Sequence, residues 1–85
     1  MRRWVSSQSY RLAIRTIVEA RKEARLTQRD LAKRLNKPPS FVAKIETGER
    51  RLDIVEFIAI ALALKLQPAD LAGQIANAMP DSLDF

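Results

Sequence analysis

The chain contains no cysteine and no histidine, only two glycines, and five aromatic side chains in 85 residues. Without cysteine no disulfide is available to staple the fold. Without histidine the commonest metal ligand and the commonest general base are missing, which excludes a zinc site and a histidine-containing triad. Carboxylate and lysine chemistry remain, but no acidic pair sits in a glycine-rich or cleft-forming context, so the chain does not read as an enzyme and no cofactor is expected. Long apolar runs are also absent. The longest, Phe57 to Leu64, has eight residues between Glu56 and Lys65, against the roughly 20 needed to cross a bilayer. Met1 to Ser7 has a positive start but lacks the ~7–15-residue apolar stretch of a secretory signal. The expectation is a cytoplasmic protein with no membrane partner, and the missing cysteines agree with it.

With two glycines, four prolines and abundant alanine, leucine, isoleucine and arginine, the composition favours helix over the β-branched and aromatic usage of sheets. Eighty-five residues make one domain with a small core, in the size range where dimerisation often adds stability. The net charge of +5 is unevenly spread. Through Arg51, fourteen lysines and arginines stand against five acids, a net +9; from Leu52 onward one lysine faces five acids, a net −4. A basic half and an acidic half predict one face attracted to a polyanion and one that is not.

Local signals divide the chain into five helices. The first spans about Ser9 to Arg25, with Tyr10, Ala13, Ile14, Ile17, Val18 and Ala24 on one face. Thr27 is an N-cap candidate for a short second helix whose apolar residues are Leu31, Ala32 and Leu35. Asn36 enters the left-handed region cheaply and can end it. Pro39, with no N–H and φ near the helical value, suits the first position of a third helix that turns Val42 and Ile45 inward and stops at Gly48. Two short helices joined by so tight a turn have the geometry of a helix-turn-helix, whose second helix can enter the DNA major groove. Asp53 and Glu56 form a capping-box pattern for a fourth helix running to about Ala63. Its nearly continuous apolar sequence predicts a deeply buried central strut. A fifth helix starts at Pro68 behind Gln67, presents Leu71, Ile75 and Met79, and is stopped by Pro80.

Leu26-Thr27-Gln28, Leu31-Ala32, Leu35, Val42 and Ile45-Glu46-Thr47-Gly48 resemble the phage repressor and Cro-like, or XRE-type, helix-turn-helix family. The likeness continues through Arg51-Leu52-Asp53-Ile54 and Leu64-Lys65-Leu66-Gln67-Pro68, covering roughly residues 10 to 76. The chain departs from the family in having Asn36 where a turn glycine is usual, and Pro38 where a Ser or Thr often caps the recognition helix. The resemblance implies an all-α, five-helix bundle of the lambda-repressor-like type, with an arm over 1–8, a DNA-binding domain over 9–79 and a tail over 80–85. It also implies that Gln28 is the DNA-clamping position, and that Arg21 pairs with Glu46 to hold the recognition helix.

On that helix the face opposite Val42 and Ile45 carries Pro39, Ser40, Ala43 and Lys44, the candidate base contacts. The Lys44 ammonium can donate to guanine N7 or O6, or to a phosphate; Ser40 can pair with several bases, and Pro39 and Ala43 can touch a thymine methyl. Candidate backbone contacts are Gln28, Arg29, Phe41, Thr47, Arg50 and Arg51. Phe41 either completes the core edge or packs at the groove wall. Arg2 and Arg3 would belong to an arm reaching into a groove or to a disordered start. One helix reads too few base pairs for selectivity, so a homodimer on an inverted repeat with half-sites about 34 Å apart is expected. Leu71, Ile75, Met79, Leu83 and Phe85, in the acidic half, are the candidate dimer residues. The expected role is transcriptional control of double-stranded DNA, by repression. A phage repressor, an antitoxin with a toxin partner, and a restriction–modification controller fit equally, and the competing class is a protein-interaction module that leaves DNA alone.

Overall fold

The computed structural model describes residues 7–85, and these form five α-helices with no strand among them: α1 Gln8–Glu23, α2 Gln28–Arg34, α3 Pro39–Thr47, α4 Ile54–Ala63 and α5 Pro68–Ala78. The arm residues Arg2 and Arg3 lie outside the described residues. Each start has a local cause. The Ser7 hydroxyl accepts from the Tyr10 N–H to cap α1. Thr27 and Asp30 satisfy each other's backbone N–H in a full capping box on α2, and Asp53 and Glu56 do the same on α4. Such caps are worth about 1 kcal/mol each. Proline at the first position opens α3 and α5, where its missing N–H costs no bond.

Three helices end alike. Arg25, Asn36 and Lys65 take left-handed φ values of 61°, 58° and 62°. In each case the next residue's N–H reaches back to the last turn: Leu26 to the Arg21 carbonyl, Lys37 to Ala32 and Leu66 to Ala61. This is the Schellman closure, which satisfies carbonyls a helix end would leave orphaned. It ends α1 at Glu23, two residues short of the expected Arg25, and leaves Ala24 exposed as the cap instead of on the apolar face.

The core joins Ile14, Ile17 and Ala20 of α1, Leu31 and Ala32 of α2, Val42 and Ile45 of α3, Ile60, Ala61 and Leu64 at α4, and Leu71 of α5. α2 packs on α3, α1 on both α3 and α5, and α4 on α5 and α2. The Arg34 guanidinium donates to the Ala63 carbonyl at 2.8 Å, so a cation from α2 closes the C-terminal end of α4.

The central-strut expectation for α4 is overturned. Only Ile60 and Ala61 of that helix are buried, whereas Ile54, Val55, Ile58 and Leu62 are exposed at 77%, 74%, 41% and 60%. Its main neighbours α5 and α2 cover only one side of it, and apolar residues spread round the whole helix cannot all find that side. The 80–85 segment also makes a long-range contact. Asp84 accepts from the Gln8 and Ser9 N–H groups at 3.0 and 2.9 Å and from the Ser9 hydroxyl at 2.6 Å, fastening the C-terminal end to the start of α1. Those bonds hold its carboxyl down to about 2.

Candidate nucleic-acid interface

Val42 and Ile45 fix the roll of α3 by sitting fully inside the core, which turns Pro39, Ser40, Lys44 and Thr47 to the outside and leaves Ala43 half-buried. None of the outward side chains of Pro39, Ser40 and Lys44 is engaged in a side-chain hydrogen bond with the rest of the described protein. Thr47 is committed more locally: its hydroxyl donates to the Lys44 carbonyl at 3.2 Å and approaches the Glu49 carboxylate at 3.4 Å.

The helix is held from behind by a polar cluster. Arg21 of α1 donates through Nε and Nη2 to the two carboxylate oxygens of Glu46, at 2.7 and 3.1 Å, and through Nη1 to the Leu26 carbonyl at 2.7 Å. A bidentate guanidinium–carboxylate pair constrains angle as well as distance, so it orients the last turn of α3 against α1. Gln28, first residue of α2, adds its amide N–H to the same Glu46 at 2.7 Å. A carboxylate only accepts, so the amide nitrogen must face it; the second N–H of that nitrogen remains to meet an outside acceptor.

Around this frame the surface is cationic. Arg29 is exposed on α2, and a depression between α2 and the start of α3 is lined by Arg29, Lys33, Asn36, Lys37, Pro38 and Pro39, three cations with no acid among them. Asp30, the acid closest in sequence, is held ionised by the Thr27 backbone and hydroxyl, below its ordinary range. Lys33 and Lys37 were not singled out from sequence. Lys33 lies four residues after Arg29 on the same helical face, and that spacing was the available signal.

Arg50, Arg51 and Phe41 sit less freely than the sequence suggests. Arg50 forms a fork with Glu56 at 2.8 and 2.6 Å and lies 4.7 Å from the Phe41 ring centroid, so its charge is balanced and its plane stacked. Phe41 is half-buried against the core, between Arg50 and the Lys37 ammonium at 5.4 Å. The ring therefore completes the core edge. Arg51 is exposed but leans over the Tyr10 ring at 4.9 Å, while the Tyr10 hydroxyl accepts from the Leu52 N–H and pins the loop after α3.

Residues 17–71 match the Helix-turn-helix family. The chain belongs to the XRE-type helix-turn-helix family of DNA-binding regulators. A solved XRE-family-like protein from Pseudomonas syringae pv. tomato str. DC3000 is 38% identical, with a TM-score of 0.77 over 85% of this chain and 88% of that one. The clp gene regulator ClgR from C. glutamicum shares the fold at 18% identity, with a TM-score of 0.76 over 91% of this chain and 100% of its own. No curated protein matches the chain. The five-helix, all-α architecture expected from the residues is the one this XRE-type chain has.

The candidate dimer residues of the XRE-type domain fall into three environments. Leu71 is fully buried in the core and has no surface to offer, because α5 uses that face on α1 and α4. Ile75 and Met79 are half-buried, and Leu83 and Phe85 are exposed beside the Asp84 clasp. No helix among the described residues is long and apolar enough to cross a membrane.

Proposed function

We propose that this protein is a sequence-specific regulator that binds double-stranded DNA through the outer face of α3, as a dimer on an inverted-repeat operator, and represses transcription by occupying a promoter. The observation that supports this best is the contrast across α3: its rear is locked by Arg21, Glu46 and Gln28, while Pro39, Ser40 and Lys44 point outward with no partner requirement of their own. A rigid helix with an uncommitted polar face is what groove reading requires.

In this reading Gln28 uses its remaining N–H on a phosphate oxygen, coupling the clamp to the buried ion pair. Arg29, Lys33, Lys37 and Arg51 add sequence-independent attraction along the sugar–phosphate backbone. Arg50 acts mainly by shaping the loop, since Glu56 already balances its charge. Lys44 donates to guanine, Ser40 serves several bases, and Pro39 and Ala43 contact thymine methyls, a modest readout because one lysine lacks the fork that makes arginine discriminating. Two copies are needed for useful selectivity. A body 35 × 32 × 21 Å across brings equivalent points of two neighbours to a separation near one DNA turn.

Selection from a random-site library, followed by mobility shifts across a salt series, tests the proposal. The expected result is an enriched inverted repeat bound with steep salt dependence. Lys44→Ala should cost about 1–3 kcal/mol and relax preference at one position per half-site, whereas Arg29→Ala should weaken all sequences alike and reduce the salt slope by about 1. No enriched sequence, or binding indifferent to salt, would sink the reading in favour of a protein-interaction module.

A further inference from the structure

Among the described residues, the most apolar helix carries four of the six exposed large apolar side chains. Ile54, Ile58 and Leu62 follow one another at four-residue spacing along α4, with Val55 beside them, and all four are exposed. At about 100° per residue they form one stripe about 100° wide, adjoining the side on which Ile60, Ala61 and Leu64 face the core. The helix is firmly held beneath it, with a capping box at its start and Arg34 on its Ala63 carbonyl. The stripe is therefore a fixed surface, and no charged residue interrupts it.

We propose that this stripe is the self-association surface, on which a second copy of the chain packs α4 against α4 about a two-fold axis. The proposal rests on the dimeric reading above and names the face that serves it. Three features select a second copy as the occupant. First, the stripe is self-complementary: two antiparallel copies centred on Ile58 set Ile54 against the partner copy's equivalent of Leu62 and Ile58 against its own equivalent, as an isologous interface requires. Second, its ends carry opposite charges, Asp53 before α4 and Lys65 after it, both exposed. Antiparallel packing brings each towards the other's equivalent, and sets the positive end of one helix dipole beside the negative end of the other. Third, the area fits a regulated dimer. Four such side chains offer on the order of 400 Å² per copy, about half of the ~800 Å² per partner of a standard stable interface. The stripe alone thus supports a weak, concentration-dependent dimer that adjacent half-sites on one DNA would complete.

The absence of cysteine makes the test clean. In the full chain, Ile58→Cys places a single thiol at the axis, and Gly73→Cys places one on the exposed side of α5, where an added side chain meets nothing within 4 Å. Mild oxidation should give a disulfide-linked dimer for Ile58→Cys and little for Gly73→Cys. Sedimentation of the unmodified chain from ~1 to 100 μM should show a monomer–dimer equilibrium. Ile58→Lys, which sets like charges against each other, should raise the dimer dissociation constant tenfold or more with an unchanged helical melt. That variant should still bind an isolated half-site as well as the native chain does, while losing the gain from a paired site. Crosslinking through Ile58→Cys in a chain that binds no DNA would support this surface while removing the regulatory reading. A chain that stays monomeric, crosslinks equally through Gly73→Cys, dimerises undiminished with Ile58→Lys, or covers the stripe only with a different protein would overturn it.

Discussion

Arg21–Glu46 and Arg50–Glu56 both secure the C-terminal end of α3, the first to α1 and the second through the following loop to α4. Their surroundings differ sharply. The side chains of the first pair are each 9% exposed, while those of the second are 41% and 21% exposed. Burial removes water that would otherwise solvate a stranded charge, so the two pairs differ less in what they add than in what their disruption costs. The buried pair also receives Gln28 and the Leu26 carbonyl, making it the hub that joins α1, α2 and α3. The Arg50–Glu56 pair is a half-buried peripheral brace, with the Arg50 guanidinium over Phe41, and is more open to salt. In the proposed reading, the helix offered to DNA is thus anchored rigidly at its rear and adjustably at its flank.

The comparison breaks most visibly at Glu46. Glu46→Ala strands the Arg21 guanidinium and removes the Gln28 acceptor, so urea melts should show a loss of about 3–5 kcal/mol. For a small domain near the lower end of the usual range, about 5 kcal/mol, that would remove most of the stability. Replacing both partners with apolar residues, Arg21→Met with Glu46→Leu, should recover much of the loss while weakening DNA binding through a less constrained α3. Equal melts for Glu46→Ala and the native chain would show that the buried pair holds nothing.

Gln28 sharpens the contrast at the next level. Its amide serves Glu46 in the free protein, so Gln28→Ala should cost about 1.5–3 kcal/mol of stability for one lost charge-assisted bond. It should also weaken DNA binding by more than the stability loss accounts for, because the phosphate donor goes with it. A variant with altered stability and unchanged affinity would confine Gln28 to the hub.

The local sequence codes for helix ends far better than for helix facing. Thr27, Pro39, Asp53 and Pro68 mark starts that the structure places within a residue or two, because a cap depends only on its own turn. The roll of α3 was also legible, since Val42 and Ile45 stand out against polar neighbours. α4 was not, because apolar residues at nearly every position leave no period to tell the core side from the open side. Leu71 misled for a related reason: an apolar residue on an amphipathic helix looks the same whether it fills its own core or a partner's. The Asp84 clasp joins residues 75 apart and has no local signature. Arg50's commitment to Glu56 was half visible, since Glu56 was already recognisable as a capping residue, but its second role depends on how the loop after Gly48 folds.

At the Arg50–Glu56 brace the expected effect is smaller. Arg50→Ala should cost about 0.5–1 kcal/mol in dilute buffer. That difference should shrink as salt rises towards ~1 M, where the Debye length falls to about 3 Å, while the Glu46→Ala difference persists. A brace whose loss is as large as that of the buried pair, or as resistant to salt, would erase the distinction between the two.

Acid separates the peripheral contacts more finely. The Glu56 carboxyl is held below its ordinary 4.5 chiefly by the hydrogen bonds from Arg50, and Asp84 is drawn from 3.8 to about 2 chiefly by the Ser9 hydroxyl and N–H. Each is more acidic folded than unfolded, so each contributes stability that is fully present above its ordinary value and drains away as pH falls through the folded one. Glu56 therefore begins to lose its contribution below 4.5, and Asp84 only below 3.8, finishing near 2. Asp84→Asn should lower the melting temperature by a constant small amount above that window, and the gap to the native chain should close progressively towards pH 2. A gap that stayed constant through the acid range would mean that the Asp84 charge adds nothing to the clasp, leaving α1 capped by Ser7 alone.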